Sequence, residues 1–226
     1  MSNILTLVDG FNFYHRLAEY SNNYENVKWL NYRKLIESYF DRKNVSISDI
    51  VYFSAIATHR GKESNQRHKT YIKALQRANI EVVLGKFKSK FIKKCPHCFS
   101  HPTKKDLKRH EEKNTDVNIA IRLIEAALSK KYDKCFLLSS DNDFSSAIRR
   151  AKELNNSMQV IICPPPVGNI KNAKKAILRI KDLEKACECK PLIISWKKIK
   201  EAQFNNQFEE LKNPWVKIES QIKQII

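Results

Sequence analysis

Four carboxylates in this sequence stand where apolar runs end or begin. Ile4-Leu5-Thr6-Leu7-Val8 runs into Asp9, and Cys135-Phe136-Leu137-Leu138 runs through Ser139-Ser140 into Asp141 and Asp143. Asp116 opens a long apolar helical pattern that continues to Ile124. A carboxylate just past the carboxyl end of a buried strand lies at the rim where open α/β sheets place their ligands. Carboxylate oxygens without His or Cys suit Mg²⁺ or Mn²⁺ better than zinc. Such ions promote phosphodiester hydrolysis by polarising the phosphate and lowering the pKa of a bound water. Taken singly, each acid has an ordinary reading. Asp9-Gly10 reads as a turn, Asp143 as a helix N-cap, and Asp116 as a complement to a helix dipole. Asp116, however, shares a helical face with Ala120, Leu123 and Ala127, which turns it toward the core side. Taken together, the four mutually repelling acids read as one divalent-metal site.

Short strands alternating with helices must position these acids. Residues 3–8 are too short and too β-branched for a helix and read as a buried strand. Further strands are expected at 50–57, 81–84, 134–139 and 158–163, with 87–92 extending the third. Helices are expected at about 12–20, 31–41, 62–79, 115–130, 143–155 and 170–178. Thr115 reads as an N-cap, and Pro164-Pro165-Pro166 stops the last strand. A further element falls near 191–194. Such alternation predicts an α/β fold whose mainly parallel sheet carries helices on both faces. The strand ends at Asp9 and Asp141 then fall on one sheet edge.

The chain has 226 residues, enough for one domain with additions. A hydrophobic content of 42% argues for a folded core, and a net charge of +18 argues for a polyanionic partner. No apolar run reaches the roughly 20 residues of a membrane span, and no secretory leader is recognisable. The expectation is a cytoplasmic protein with no membrane contact. The four glycines are isolated, which excludes both a dinucleotide-binding glycine loop and a P-loop. Phe11 stands two residues after Asp9, where an aspartyl-phosphate enzyme would carry a second Asp.

Residues 93–112 break the rhythm and read as a basic insertion. Cys95, Cys98, His101 and His110 could supply four ligands to one structural zinc, although the spacing is looser than that of a standard finger. The alternative is a basic loop with reduced thiols. Cys187 and Cys189 form a second, less common half-site, while Cys135 and Cys163 lie in apolar runs and read as core. Lys94, Lys104, Lys105, Lys108 and Arg109 would surround the acidic centre and hold a nucleic-acid backbone, mostly without reading sequence. Arg67 and Lys69 belong to another basic stretch, and Tyr14, Phe91 and Phe99 are candidates for stacking on unpaired bases.

Three blocks resemble a known family. Asp9-Gly10-Phe11-Asn12-Phe13-Tyr14-His15, Glu112-Lys113-Asn114-Thr115-Asp116-Val117-Asn118 and Ser139-Ser140-Asp141-Asn142-Asp143-Phe144 are similar to the signature blocks of NYN-domain proteins, in the LabA-like (DUF88) branch of the PIN-like nuclease superfamily. The resemblance covers about residues 1–180 and implies a PIN-like (Rossmannoid) three-layer sandwich. Residues 181–226 would be a helical extension packed on that domain. It also implies a metal-dependent (endo)ribonuclease that leaves a 5′-phosphate and a 3′-hydroxyl. Asp9, Asp116, Asp141 and Asp143 would hold Mg²⁺ or Mn²⁺, Asn12 would contact a metal water or the phosphate, and Lys113 would steady developing charge. Some relatives act as binding or regulatory modules, so an inactive RNA-binding module of the same fold is the alternative. RNA, single-stranded or structured, is the expected partner; a homodimer or a protein partner is left open. Two positions depart from the family pattern. Asn114-Thr115 replaces a common Gly-Val, and Ser140 replaces a common glycine, where its Cβ would narrow the approach to the phosphate.

Overall fold

The strand that ends at Asp9, β1 (Ser2–Asp9), is buried on both sides from Ile4 onward, the pattern of a central strand in a parallel sheet. The protein is described by a computed structural model covering residues 2–40, 45–91, 108–167 and 180–216. The larger strands following β1 are β2 (Val45–Ser54), β3 (Glu81–Leu84), β4 (Lys86–Phe91), β5 (Lys108–Lys113), β6 (Lys134–Leu138) and β7 (Gln159–Ile162). β1 and four of these form one parallel sheet in the order β3-β2-β1-β6-β7. The helices are α1 (Gly10–Asn23), α2 (Tyr32–Glu37), α3 (Lys62–Arg77), α4 (Thr115–Ser129), α5 (Ser145–Leu154), α6 (Lys181–Cys187) and α7 (Trp196–Glu201).

Alternate residues of β1 divide the core. Ile4 and Val8 pack with Phe13 and Leu17 of α1 and with Tyr71 and Leu75 of α3. Leu5 and Leu7 pack with Ile119 and Leu123 of α4 and with Ile148 of α5. The result is the expected three-layer α/β sandwich, with a central sheet that is wholly parallel. Asp9 has the parity of Leu5 and Leu7 and so faces the α4 side. The chain leaves β1 toward one neighbour and β6 toward the other, so their carboxyl ends flank the switch point where such sheets bind ligands.

Several elements differ from the sequence expectation. Residues 86–91 do not extend β3: they turn away at Gly85 and pair antiparallel with β5, from Lys86↔Lys113 to Phe91↔Lys108. The last part of the basic insertion is therefore a strand. Hairpin pairing needs no apolar face, so its polar sequence hid it. The helix expected to 41 ends at Glu37, and 191–194 forms no regular element, although the Leu192 N–H donates to the Ile162 carbonyl. The helix expected at 170–178 lies outside the described residues. Beyond 195 the chain contains α7 and the strands β8 (Gln207–Phe208) and β9 (Leu211–Lys212). Ile194, Ile199 and Phe204 join the core of the α1 face, and Trp196 stacks on Tyr20 at 3.9 Å. Among the described residues no helix is long and apolar enough to cross a membrane.

Candidate active site

The Asp9 carboxylate is 4% exposed and hydrogen-bonded through both oxygens. Oδ1 accepts the Asn12 N–H at 3.0 Å, capping α1, and Oδ2 accepts the Ser139 hydroxyl at 2.9 Å. Ser139 follows β6, which runs beside β1 with Val8 opposite Leu138. The Ser139 Oγ also accepts the Asp141 N–H at 3.2 Å, and Asp141 Oδ1 accepts the Asp143 N–H at 3.0 Å. Asp141, rather than Asp143, is thus the cap of the short 3₁₀ turn Asn142–Phe144. The capping roles and a role in chemistry are compatible, because each carboxylate keeps further lone pairs.

Asp116 lies in the first turn of α4 and is exposed at the sheet rim instead of turned into the core. Burial pushes the Asp9 carboxyl up to about 6, and the nearby Asp116 and Asp141 charges push in the same direction. Asp116 is likewise raised by partial burial, then by Asp141 and Asp143. Asp9 thus feels the charges of Asp116 and Asp141, and Asp116 those of Asp141 and Asp143, at the same sheet rim. Among the described residues none of them has an ion-pair partner.

A fifth carboxylate joins them. Burial pushes Glu112 up to about 7, with Asp9 and Asp116 adding to the shift, while a hydrogen bond from the Thr115 hydroxyl opposes it. Glu112 lies within the middle block, but its strand geometry was invisible without the hairpin. In β5, Glu112 points opposite to Glu111 and Lys113. Lys113 Nζ pairs with Glu111 at 3.1 Å, and Lys90 pairs with the same carboxylate at 3.0 Å.

Two close approaches bring these elements together. A Cβ on Gly10 would lie 2.4 Å from the Tyr52 ring and 2.6 Å from the Phe53 carbonyl, so only glycine lets α1 start here. A Cβ on Gly85 would lie 2.7 Å from both the Lys113 carbonyl and the Thr115 hydroxyl, so this glycine seats the hairpin against the start of α4. Asn114 has φ 80°, a left-handed conformation that Asn tolerates best after Gly. Ser140 donates to Asn12 Oδ1 through both its N–H, at 3.3 Å, and its hydroxyl, at 3.1 Å. That leaves the Asn12 Nδ2 as the donor end of the amide.

The hairpin forms a wall. Phe87 contacts Phe11, with ring centroids 6.1 Å apart, and His110 stacks on His59 at 3.8 Å. Lys86, Lys88, Lys90, Arg109 and Lys113 alternate along its other face. Arg67 and Lys69 lie on α3, with Lys69 exposed and Arg67 3.6 Å from Glu63. Lys94, Lys104, Lys105, Cys95, Cys98 and His101 lie outside the described residues, and of Lys108 only the backbone is described. Cys187 and Cys189 pack beside β7, where the Cys189 thiol donates to the Val160 carbonyl, and burial raises both thiols.

The donor set at the rim fits a hard divalent cation. Its ligating atoms are carboxylate oxygens, which repel one another and lack a described counter-charge. It is not a preformed cage: among the described residues no three Asp, Glu, His or Cys side chains are close enough to hold an ion as they stand. Mg²⁺ commonly keeps several waters and uses only one or two carboxylates, so the set remains adequate.

The NYN domain family matches residues 3–180. The chain belongs to this family of PIN-like nuclease domains. No curated protein matches it. It is similar to a Vibrio parahaemolyticus protein of unknown function whose crystal structure is known, with 20% identity over 86% of this chain and 94% of that one and a TM-score of 0.49.

Proposed function

We propose that this NYN domain is a metal-dependent endoribonuclease that hydrolyses RNA phosphodiester bonds at the rim of Asp9, Asp116, Asp141 and Asp143. The observation that carries the reading is geometric: Asp9 and the Asp141 segment are tied through Ser139 at one sheet rim, with Asp116 at the start of α4 beside them, and acids gathered without a described cation, in a chain of net charge +18, call for a cation and a polyanion. Asp9, Asp116, Asp141 and Asp143 would hold Mg²⁺ or Mn²⁺, with Glu112 beside them. When bound, such an ion supplies Lewis-acid polarisation of the phosphate and acidifies a water. The protein's own groups do the positioning. Ser139 orients Asp9 and the Asp141 segment together. Asn12, held by Ser140, presents its Nδ2 to a phosphate oxygen. The lysines and Arg109 on the hairpin face away from Glu112 add to the positive field that draws the backbone in.

The test is cleavage of single-stranded and structured RNA with Mg²⁺ or Mn²⁺, with EDTA, and by Asp141→Asn. Loss of cleavage in EDTA and a fall of about 10²-fold or more in the variant are expected, given the weight of positioned electrostatics in catalysis. Equal cleavage by both proteins, or indifference to EDTA, rejects the proposal. A non-cutting RNA-binding module is the second reading, favoured by the lack of three preassembled ligands among the described residues. RNA binding without cleavage by either protein would support it.

A further inference from the structure

On the α1 face of the same sheet edge, a cavity of about 70 Å³ opens between α1, the end of β2 and α3. No role above accounts for it. It adjoins the acidic rim through the chain itself, because Gly10 and Phe11 line it and Asp9 immediately precedes them. Its floor is aromatic: Tyr52 and Tyr71 are 2% and 4% exposed, and their rings meet edge-on at 6.0 Å. Phe11 and Tyr14 stand at its side on consecutive turns of α1, and Trp215 closes another side.

Within this apolar setting there is one neutral hydrogen-bonding edge. His68 Nε2 lies 3.4 Å from the buried Ser54 hydroxyl, and its other ring nitrogen has no described partner. Burial lowers the His68 pKa, so at neutral pH the ring is uncharged and can both donate and accept. Cations stand beside this edge: Arg60 is exposed with no ion pair among the described residues, and Arg67 only approaches Glu63 at 3.6 Å. Aromatic faces, an uncharged polar edge and flanking guanidinium groups are what an unpaired base with its phosphate requires. A bare anion would have little use for the buried rings, and an apolar ligand little use for the arginines.

We propose that this cavity receives an unpaired nucleobase of the RNA strand whose backbone crosses the acidic rim, with Tyr14 or Phe11 against the base, His68 and Ser54 at its edge, and Arg60 and Arg67 on the adjoining phosphate. The assignment rests on the ribonuclease reading and deepens it: the substrate must offer a single-stranded nucleotide beside the scissile bond, which a continuous duplex does not.

Binding in EDTA separates the two ideas. Fluorescence anisotropy of the full chain is measured with a short labelled single-stranded RNA and with an abasic ribose-phosphate strand of the same length and charge. The wild type is expected to bind the RNA about tenfold more tightly than the abasic strand, the size of one base–aromatic contact. Tyr14→Ala removes a wall, and Ser64→Trp, one turn before His68 on the same face of α3, fills the opening. Each is expected to abolish the tenfold ratio while leaving affinity for the abasic strand unchanged. A wild-type ratio near one, failure to bind either strand, or variants that retain the ratio would overturn the cavity assignment. A wild type that keeps the ratio yet cuts no RNA with Mg²⁺ or Mn²⁺ rejects the nuclease reading and leaves the base site standing.

Discussion

The Ser139 hydroxyl donates to Asp9 Oδ2 at 2.9 Å while accepting the Asp141 N–H at 3.2 Å. One buried side chain thereby ties two acids from adjacent strand ends, across 130 residues of sequence. Ser139→Ala leaves the Asp9 oxygen and the Asp141 N–H without this partner. A loss of about 1–3 kcal/mol in stability is expected, the cost of unsatisfied buried polar groups. Since the lost bond favours the ionised form, the Asp9 pKa should rise further. Urea denaturation and an NMR titration of the Asp9 carboxyl measure the two effects. A variant that matches wild type in both would show that Ser139 is only a space-filler.

The raised acids predict an unusual pH dependence of stability. In the folded protein Asp9 is near 6 and Glu112 near 7, above their ordinary values of 3.8 and 4.5. Between about pH 4 and pH 7 the folded state therefore holds more protons than the unfolded chain, so stability falls as pH rises through that window. For Asp9 the full effect is about 3 kcal/mol at most, reached above pH 7. In EDTA, Asp9→Asn should flatten this fall and be more stable than wild type at pH 8. Mn²⁺ or Mg²⁺ at tenfold excess over its dissociation constant should restore about 1.4 kcal/mol to wild type and less to Asp116→Asn. Denaturation midpoints at pH 5 and 8, with and without the ion, decide it; an ion that shifts neither midpoint would argue against the rim as its site.

Ser140 acts here as an anchor for Asn12, donating to its Oδ1 through both the backbone N–H and the hydroxyl. Ser140→Gly keeps the backbone donor to Asn12 but removes the hydroxyl donor. The expected result is a several-fold fall in kcat for RNA cleavage with little change in stability. A faster Ser140→Gly enzyme would instead mean that the side chain obstructs the phosphate.

Backbone placement at two junctions is equally testable. Gly10→Ala puts a carbon 2.6 Å from the Phe53 carbonyl, which must move. A loss of about 1–3 kcal/mol, the usual scale of overpacking, is expected in urea denaturation. Asn114 holds φ 80°, so Asn114→Gly should stay within about 1 kcal/mol of wild type. Asn114→Val should lose about 1–2 kcal/mol or more, because a β-branched side chain clashes in the left-handed region. Equal stability of the Gly and Val variants would contradict the geometry at the start of α4.

Much of this arrangement is local chemistry and is legible in the chain. The apolar runs before Asp9 and Asp141 determine two buried parallel strands, because residues apolar on both sides are stable only with both faces covered. The stripe from Ile119 to Ala127 determines α4, although it turns Asp116 toward the core side, whereas the structure exposes it at the rim. What the periodicity could not carry are relations between distant segments. Strand order sets β6 beside β1, and that adjacency makes Ser139 a partner of Asp9. Strand β5 is polar throughout, so no hydrophobic alternation announces the hairpin. Its pairing aims Glu112 at the acids and Lys113 at Glu111. Residue types supplied the acids and the charge; long-range packing decided which acids share a rim and which aromatic-floored cavity lies beside it, because desolvation and repulsion act through space rather than along the chain.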